Sequence, residues 1–314
     1  MPDQFRTKII VNPRSANGRT GKNWPEIQTR IRTVLPEFDH EFTAAPHDAT
    51  RIAREALRQG YEMIVSMGGD GTNNEVINGF FENGAPIRPD AVLAVLPMGT
   101  GGDFVKTIGI PKVLDEALPF LAGTATTPCD AGHLTYFRHD GAPAEMYFLN
   151  IADFGMGGEI VHRVNNTTKL LRGFLSFLWG TVRTAASYKD KHVRLVVDGK
   201  DIGEHIIRNV VIANGRYFGG GMHIAPEAEI DDGLFDILIL RKTTVAQGVK
   251  VLRMIYSGEI LNCKEFVEFH RGRRLDADSS ETVLLDVDGE QPGRIPSSFT
   301  IIPKPIRLKV KPQA

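Results

Sequence analysis

Short uninterrupted apolar runs, Lys8 to Val11, Met63 to Met67 and Ala91 to Leu96, each stop at Asn, Gly or Pro. Between them, Trp24 to Leu35 and Thr50 to Gln59 carry apolar residues at helical spacing. The runs predict parallel strands buried on both faces, and the intervening stretches predict the helices that cover them. A βαβ series of this kind folds as an open, mostly parallel α/β sheet whose ligand crevice lies at the carboxyl ends of the strands. From about residue 130 the pattern changes to strand-like segments separated by turn residues such as Asp198-Gly199. These segments, Met146 to Ile151, Val193 to Val197, His205 to Ala213, Leu234 to Leu240, Val283 to Val287 and Ser298 to Ile302, predict a β-rich antiparallel sandwich or barrel. We therefore expect an α/β domain over 1–127 and a β-sandwich domain over 128–295. The boundary is expected in Gly123 to Pro128, and the Pro-rich tail 296–314 either stays with the second domain or returns to the first.

Three loops of small residues follow the three predicted strands. Gly68, Gly69, Asp70, Gly71 and Thr72 precede a helical run from Asn73 to Phe81. Glycines there let the backbone approach a ligand closely, and the N–H groups opening the helix favour phosphate. A carboxylate within such a loop repels phosphate unless a divalent cation or a reacting hydroxyl lies between them, so Asp70 points to Mg²⁺ or an alcohol. A tight turn with Asp70 capping the helix is the plainer alternative. The second loop runs from Gly99 through Thr100, Gly101 and Gly102 to Asp103, and the third from Asn12 to Gly18. Three such loops at the same edge of one sheet should converge on one crevice, which turn formation alone would not require. Neither a Walker loop nor the dinucleotide fingerprint has this spacing.

Composition narrows the picture. The 314 residues carry 37 Lys+Arg against 38 Asp+Glu, a formal net charge of -1, so the chain lacks the positive field that sequence-independent nucleic-acid binding requires. An apolar fraction of 42% allows a substantial core and excludes collagen-like or disordered chains. Cys129 and Cys263 are far apart and outside metal-ligand spacing, which excludes a disulfide scaffold and fits a reducing compartment. The N-terminus is polar, and no apolar run approaches the ~18 residues of a spanning helix, so we expect a cytoplasmic protein. The nine His residues show no metal-type pairing.

These motifs, in this order, resemble the diacylglycerol kinase catalytic domain superfamily, especially the bacterial soluble lipid kinases, with sphingosine and ceramide kinases as relatives. The resemblance runs from Asn12-Pro13 through Gly68 to Val76 and Pro97-Met98-Gly99-Thr100 to Asp286-Val287-Asp288-Gly289-Glu290. It implies an ATP-dependent lipid kinase with MgATP on the three loops. Gly68, Gly69, Asp70, Gly71, Thr72, Asn73 and Asn74 would hold the phosphates, with Asn12, Gly99 and the threonines Thr43 and Thr100 also at the ATP site. Asp70 would organise the catalytic Mg²⁺, and Glu290 is implied as the general base. A structural Mg²⁺ in the second domain is implied at Glu229 and Leu234 through carbonyls and at Asp232 through its side chain. Gly102 departs from the pattern, standing where most members carry Asn. NAD kinase, which shares the Gly-Gly-Asp-Gly-Thr loop, and a non-catalytic lipid- or nucleotide-binding module are the alternatives.

The residues alone leave several readings open. Asp288-Gly289-Glu290 is either an ordinary exposed hairpin turn or one that presents Glu290 to a reacting hydroxyl; Asp231-Asp232-Gly233 is either a surface turn or a weak Mg²⁺ site. Leu170 to Val182, with Lys169, Arg172 and Arg183 opposite a broad apolar arc, is either core-packed or an interfacial helix on an anionic bilayer. A lipid substrate and peripheral contact with a membrane surface follow from the kinase reading. The acceptor lipid, and whether the chain is a monomer or a homodimer, stay open.

Overall fold

The computed structural model describes residues 4–99, 102–166 and 187–312. The chain forms two compact units, Met1–Ala131 with Pro303–Ala314, and Gly132–Ile302.

In the first unit, β1 (Thr7–Val11), α1 (Trp24–Arg32), β2 (Asp39–Phe42), α2 (Asp48–Arg58), β3 (Met63–Gly68), α3 (Asp70–Asn78), β4 (Val92–Pro97) and α4 (Asp103–Thr107) follow one another. The strands are parallel in the order β2-β1-β3-β4, with Lys8 opposite Asp39, Thr7 opposite Met63 and Met63 opposite Val92. Every position of β3 and β4 is buried, which is why both read as continuous apolar runs. The edge strand β2, Asp-His-Glu-Phe, is absent from the apolar pattern because it is partly solvated and charged; Glu41 pairs with Lys8 of β1 at 3.1 Å. Helix α1 ends at Arg32 rather than Leu35, since Leu35 precedes Pro36 and is pushed out of helical geometry. Helix α3 opens at Asp70, not at Asn73, so most of the glycine loop is the first turn of the helix.

The second unit contains β5 (Thr126–Phe137), which enters it from the first, then β6 (Pro143–Phe148), β7 (Ile151–Gly155) and α5 (Met156–Asn166). These are followed by β8 (Lys191–Val197), β9 (Lys200–Ala213), β10 (Phe235–Arg241), α6 (Val245–Ser257), β11 (Val267–Gly272), β12 (Arg274–Asp278), β13 (Leu285–Val287) and β14 (Arg294–Lys309). An antiparallel sheet runs β11-β10-β9-β8-β12-β14, while β7 pairs with both β9 and β13. Alternation along β9 divides its side chains between two cores. Val210 and Ile212 pack with Phe154, Phe235 and Phe299, whereas Val211 and Ala213 pack with Leu238 and with Val251 and Ile255 of α6. The single strand expected over 146–151 is two strands broken at Leu149 and Asn150. There the carbonyl of Leu149 accepts from the Asn214 side chain (2.7 Å), and the side-chain amide of Asn150 donates to the Tyr217 carbonyl (2.8 Å), so the chain turns.

Strand β14 passes back into the first unit, where Arg307 and Leu308 pair in parallel with Val92 and Leu93 of β4. Beside them Lys309 is buried, its Nζ donating to the carbonyls of Ala122 (2.7 Å) and Ala125 (3.2 Å). The apolar segment 170–182 lies outside the described residues.

Candidate active site

The three loops of the first unit meet at the carboxyl edge of β1, β3 and β4. Asn12, immediately after β1, donates from its side chain to Thr72 Oγ1 at 3.0 Å and accepts the Arg14 N–H at 3.0 Å, so one residue shapes its own loop and grips α3. The Met98 N–H donates to the Gly68 carbonyl at 2.8 Å. A Cβ placed on Gly99 would lie 2.9 Å from the Gly69 Cα, and one on Gly68 would lie 2.3 Å from Thr72 Oγ1. Glycine is required at Gly99 because two backbones are in contact, and at Gly68 because the Thr72 side chain, itself held by Asn12, fills the space. The Thr43 N–H continues the sheet by donating to the Val11 carbonyl at 2.9 Å, which puts Thr43 beside Asn12.

Helix α3 is held from below. Ser66 of β3 donates to Asn73 Oδ1 at 2.7 Å, a buried bond, and Asn74 is likewise buried. Glu75 turns away from the loops, accepting the Ala49 N–H at 3.2 Å and so satisfying a free donor in the first turn of α2. The amide groups of Gly71 and Thr72 thus sit in the first turn of a nine-residue helix, where the helix dipole favours an anion.

Asp70 closes the arrangement. Its Oδ2 accepts the Gly102 N–H at 2.7 Å, while its Oδ1 is buried without a partner. An unpartnered buried carboxylate oxygen is costly and fits a cation or a cation-bound water better than bare protein. Gly102 has φ 89°, a left-handed conformation that Asn also tolerates. The backbone N–H of this residue therefore reaches Asp70 with glycine in place and without the Asn side chain that the family resemblance led us to expect. A Cβ here would lie 3.0 Å from Val105 and 3.2 Å from Lys112. Asp103, which follows directly, is buried at the start of α4. Thr100 lies outside the described residues.

Sequence reasoning named the loops but missed what locks them. The signal for Ser66 was present, a polar residue inside an otherwise apolar strand, whereas Asn12 was named for the ATP site and not as the clamp on Thr72. The Gly102 N–H bond to Asp70 leaves no trace in residue type.

In the second unit, Asp288 (φ 51°) and Gly289 (φ 88°) form a two-residue turn closed by reciprocal bonds between Val287 and Glu290, 2.8 and 2.9 Å long. The Asp288 carboxylate accepts the N–H groups of Ile151 (3.0 Å) and Leu149 (3.3 Å), pinning the turn to the break between β6 and β7. Asp286 accepts the Gly289 N–H at 2.9 Å. Glu290 is thus exposed at the end of a rigid hairpin.

The implied structural Mg²⁺ site fares differently. Asp232 Oδ1 accepts the Leu234 N–H at 2.9 Å and its Oδ2 is paired with Arg271, which also donates to Asp236 Oδ1 at 2.8 Å; Glu229 is exposed. The Arg271 guanidinium is thus paired with both carboxylates at this turn. Among the described residues no group of three or more His, Cys, Asp or Glu side chains is placed to hold a metal.

A parallel α/β unit with three phosphate-type loops and a β-rich unit define the class of kinases that share the NAD kinase-like fold. The diacylglycerol kinase catalytic domain model matches residues 6–134, and the YegS C-terminal NAD kinase beta sandwich-like domain model matches residues 151–310. Diacylglycerol kinase of Bacillus subtilis (strain 168) is 31% identical over 297 residues, covering 94% of this chain and 92% of that protein. Diacylglycerol kinase of Staphylococcus carnosus (strain TM300) is 27% identical over 295 residues, covering 94% and 91%. The chain belongs to the diacylglycerol kinase family of bacterial lipid kinases and is itself a lipid kinase.

A solved diacylglycerol kinase structure from Bacillus anthracis str. Sterne superposes with a TM-score of 0.73 at 23% identity, covering 99% of both chains. Yeast NADH kinase complexed with NADH matches with a TM-score of 0.50 at 14% identity, covering 98% of this chain and 84% of that one, a likeness of fold alone. Among the described residues no helix is long and apolar enough to cross a membrane.

Proposed function

We propose that this lipid kinase transfers the γ-phosphoryl group of ATP to the free hydroxyl of a diacylglycerol-type lipid, with Mg²⁺ accompanying the nucleotide on the cytoplasmic side. The observation that carries the reading is the meeting of three glycine- and Asn-containing loops around Asp70, whose buried Oδ1 lacks a partner. The names of the relatives support the acceptor class.

In this reading the N–H groups opening α3 and the flanking glycine backbone receive the phosphates, and Asn12 and Thr72 hold the loops in register. A bound Mg²⁺ would supply charge neutralisation on the phosphates, with Asp70 as the residue that holds it or its waters. The lipid oxygen forms a bond to the γ-phosphorus, the bond from that phosphorus to the β,γ-bridging oxygen breaks, and ADP departs. The hydroxyl proton goes to the Glu290 carboxylate, since an alcohol is too weak an acid to lose it unaided.

Labelled ATP offered with a total lipid extract, and separately with NAD, tests the proposal, the product being identified by mass spectrometry. Phosphorylated diacylglycerol is expected. Phosphorylated NAD, or nucleotide binding with no transfer at saturating Mg²⁺, would overturn it. Glu290→Gln and Asp70→Asn should each lower kcat by about 100-fold or more while the KM for ATP changes little. Full turnover in Glu290→Gln removes that residue from the mechanism.

A further inference from the structure

Helix α6 is built to be wetted on one side, yet its outer side is apolar. Its inner face is already committed: Val251 and Ile255 are buried against Val211, Leu238 and Ile260, with Met254 packed at the margin. Thr244 caps the start with a capping box and Gly258 ends the helix in a left-handed conformation, so the helix is fully specified without any outer apolar residue.

Nevertheless Val249, Leu252 and Tyr256 are 48%, 39% and 48% exposed. They are three of the seven large hydrophobic side chains recorded as exposed among the described residues. Their spacing of three and four residues places them on one stripe within about 60° of arc. Scattered exposed apolar residues need no explanation, but a concentration on the solvent face of a single helix does.

Charge identifies the partner. The helix sequence, Val-Ala-Gln-Gly-Val-Lys-Val-Leu-Arg-Met-Ile-Tyr-Ser, contains no acidic residue, and its two cations, Lys250 and Arg253, are both exposed. At 100° per residue both fall on the same side of the stripe, Arg253 about 40° and Lys250 about 100° round from Val249. A second copy of the chain docked on this face about a two-fold axis would bring the same cations together with no carboxylate on the helix to offset them. An anionic bilayer complements both features: the stripe enters the headgroup boundary while the long basic side chains reach lipid phosphates.

We propose that α6 is a membrane-docking helix, its Val249–Leu252–Tyr256 stripe inserting at an anionic lipid surface bordered by Lys250 and Arg253. The lipid acceptor proposed above gives such a surface its use, and in that respect the inference rests on that reading. Binding itself is measurable without catalysis.

The full chain is sedimented without nucleotide with phosphatidylcholine vesicles and with mixed phosphatidylcholine–phosphatidylglycerol vesicles. The wild-type protein should partition to the mixed vesicles. Leu252→Ser/Tyr256→Ser should lower that partition by about tenfold or more, and Lys250→Gln/Arg253→Gln by about fivefold per charge removed, with thermal melting and turnover of a monomeric short-chain acceptor retained. Vesicle binding equal to wild type in both variants overturns the proposal. So does a change of oligomeric state in the apolar variant, which would show that a second copy covers the stripe. A protein that binds vesicles through α6 but phosphorylates no lipid would refute the kinase reading and leave the docking helix standing.

Discussion

Asp153 of β7 lies across from Asp286 of β13 in the ladder that carries the Glu290 turn. It is almost fully buried, and its Oδ1 has no hydrogen-bond partner. Burial pushes its carboxyl up to about 7, against hydrogen bonds from Asn209 and Asp286 that act the other way. Burial, and then the charge of Asp153, also raise the half-buried Asp286. The folded protein therefore keeps a proton that the unfolded chain releases above about pH 4. Because the native state binds more protons there, the contribution of this pair to stability is greatest in acid and is lost as pH rises through about 7. Asp153→Asn, which needs no proton, should flatten this part of the profile and raise the denaturant midpoint at alkaline pH relative to wild type. Denaturant midpoints measured across this range test it; an unchanged slope in Asp153→Asn would show that Asp153 does not hold the proton. Nothing in the residue type marks Asp153 as special. Its environment comes from Asn209, Asp286 and Gly157, where a Cβ would lie 2.0 Å from Asp153 Oδ1.

The elements differ in how visible they were. β3 and β4 are buried on both faces and stand out in the sequence, whereas β2 and β11 keep charged residues because one side meets water. Helix α6 was missed for a related reason: apolar residues on both its faces blur the helical period that marks a helix with one dry side. Its boundary signals were nonetheless in place. Thr244 Oγ1 accepts the Gln247 N–H at 3.3 Å, and Gln247 Oε1 accepts the Thr244 N–H at 2.8 Å. Thr244→Ala should cost about 1 kcal/mol, read as a lower urea midpoint with an unchanged slope. Because the first turn frays rather than the exposed stripe, vesicle binding should fall less than in the Leu252/Tyr256 variant. A midpoint equal to wild type would show that the capping box does not stabilise α6.

At the scale of the molecule, the two units have separate cores, and the loops around Asp70 belong wholly to the first. A nucleotide analogue held by those loops stabilises what it contacts, by about 2.7 kcal/mol at a hundredfold excess over Kd. Hydrogen exchange should slow in the segments following β1, β3 and β4 and stay unchanged in β8, β9 and β12. Protection confined to the second unit would place the nucleotide elsewhere. The sequence by itself determined the alternation of strands and helices, the glycine loops after β1, β3 and β4, the Asp288-Gly289 turn and the family, because period, turn chemistry and motif order are local properties of a chain. Tertiary structure alone decided that Gly69 lies against Gly99, that the Gly102 N–H binds Asp70, that Arg271 occupies Asp232, and that α6 keeps an apolar face in water. Each joins residues distant in sequence, or reports which side of an element is covered, and burial depends on the packing of the whole fold rather than on any residue's own identity.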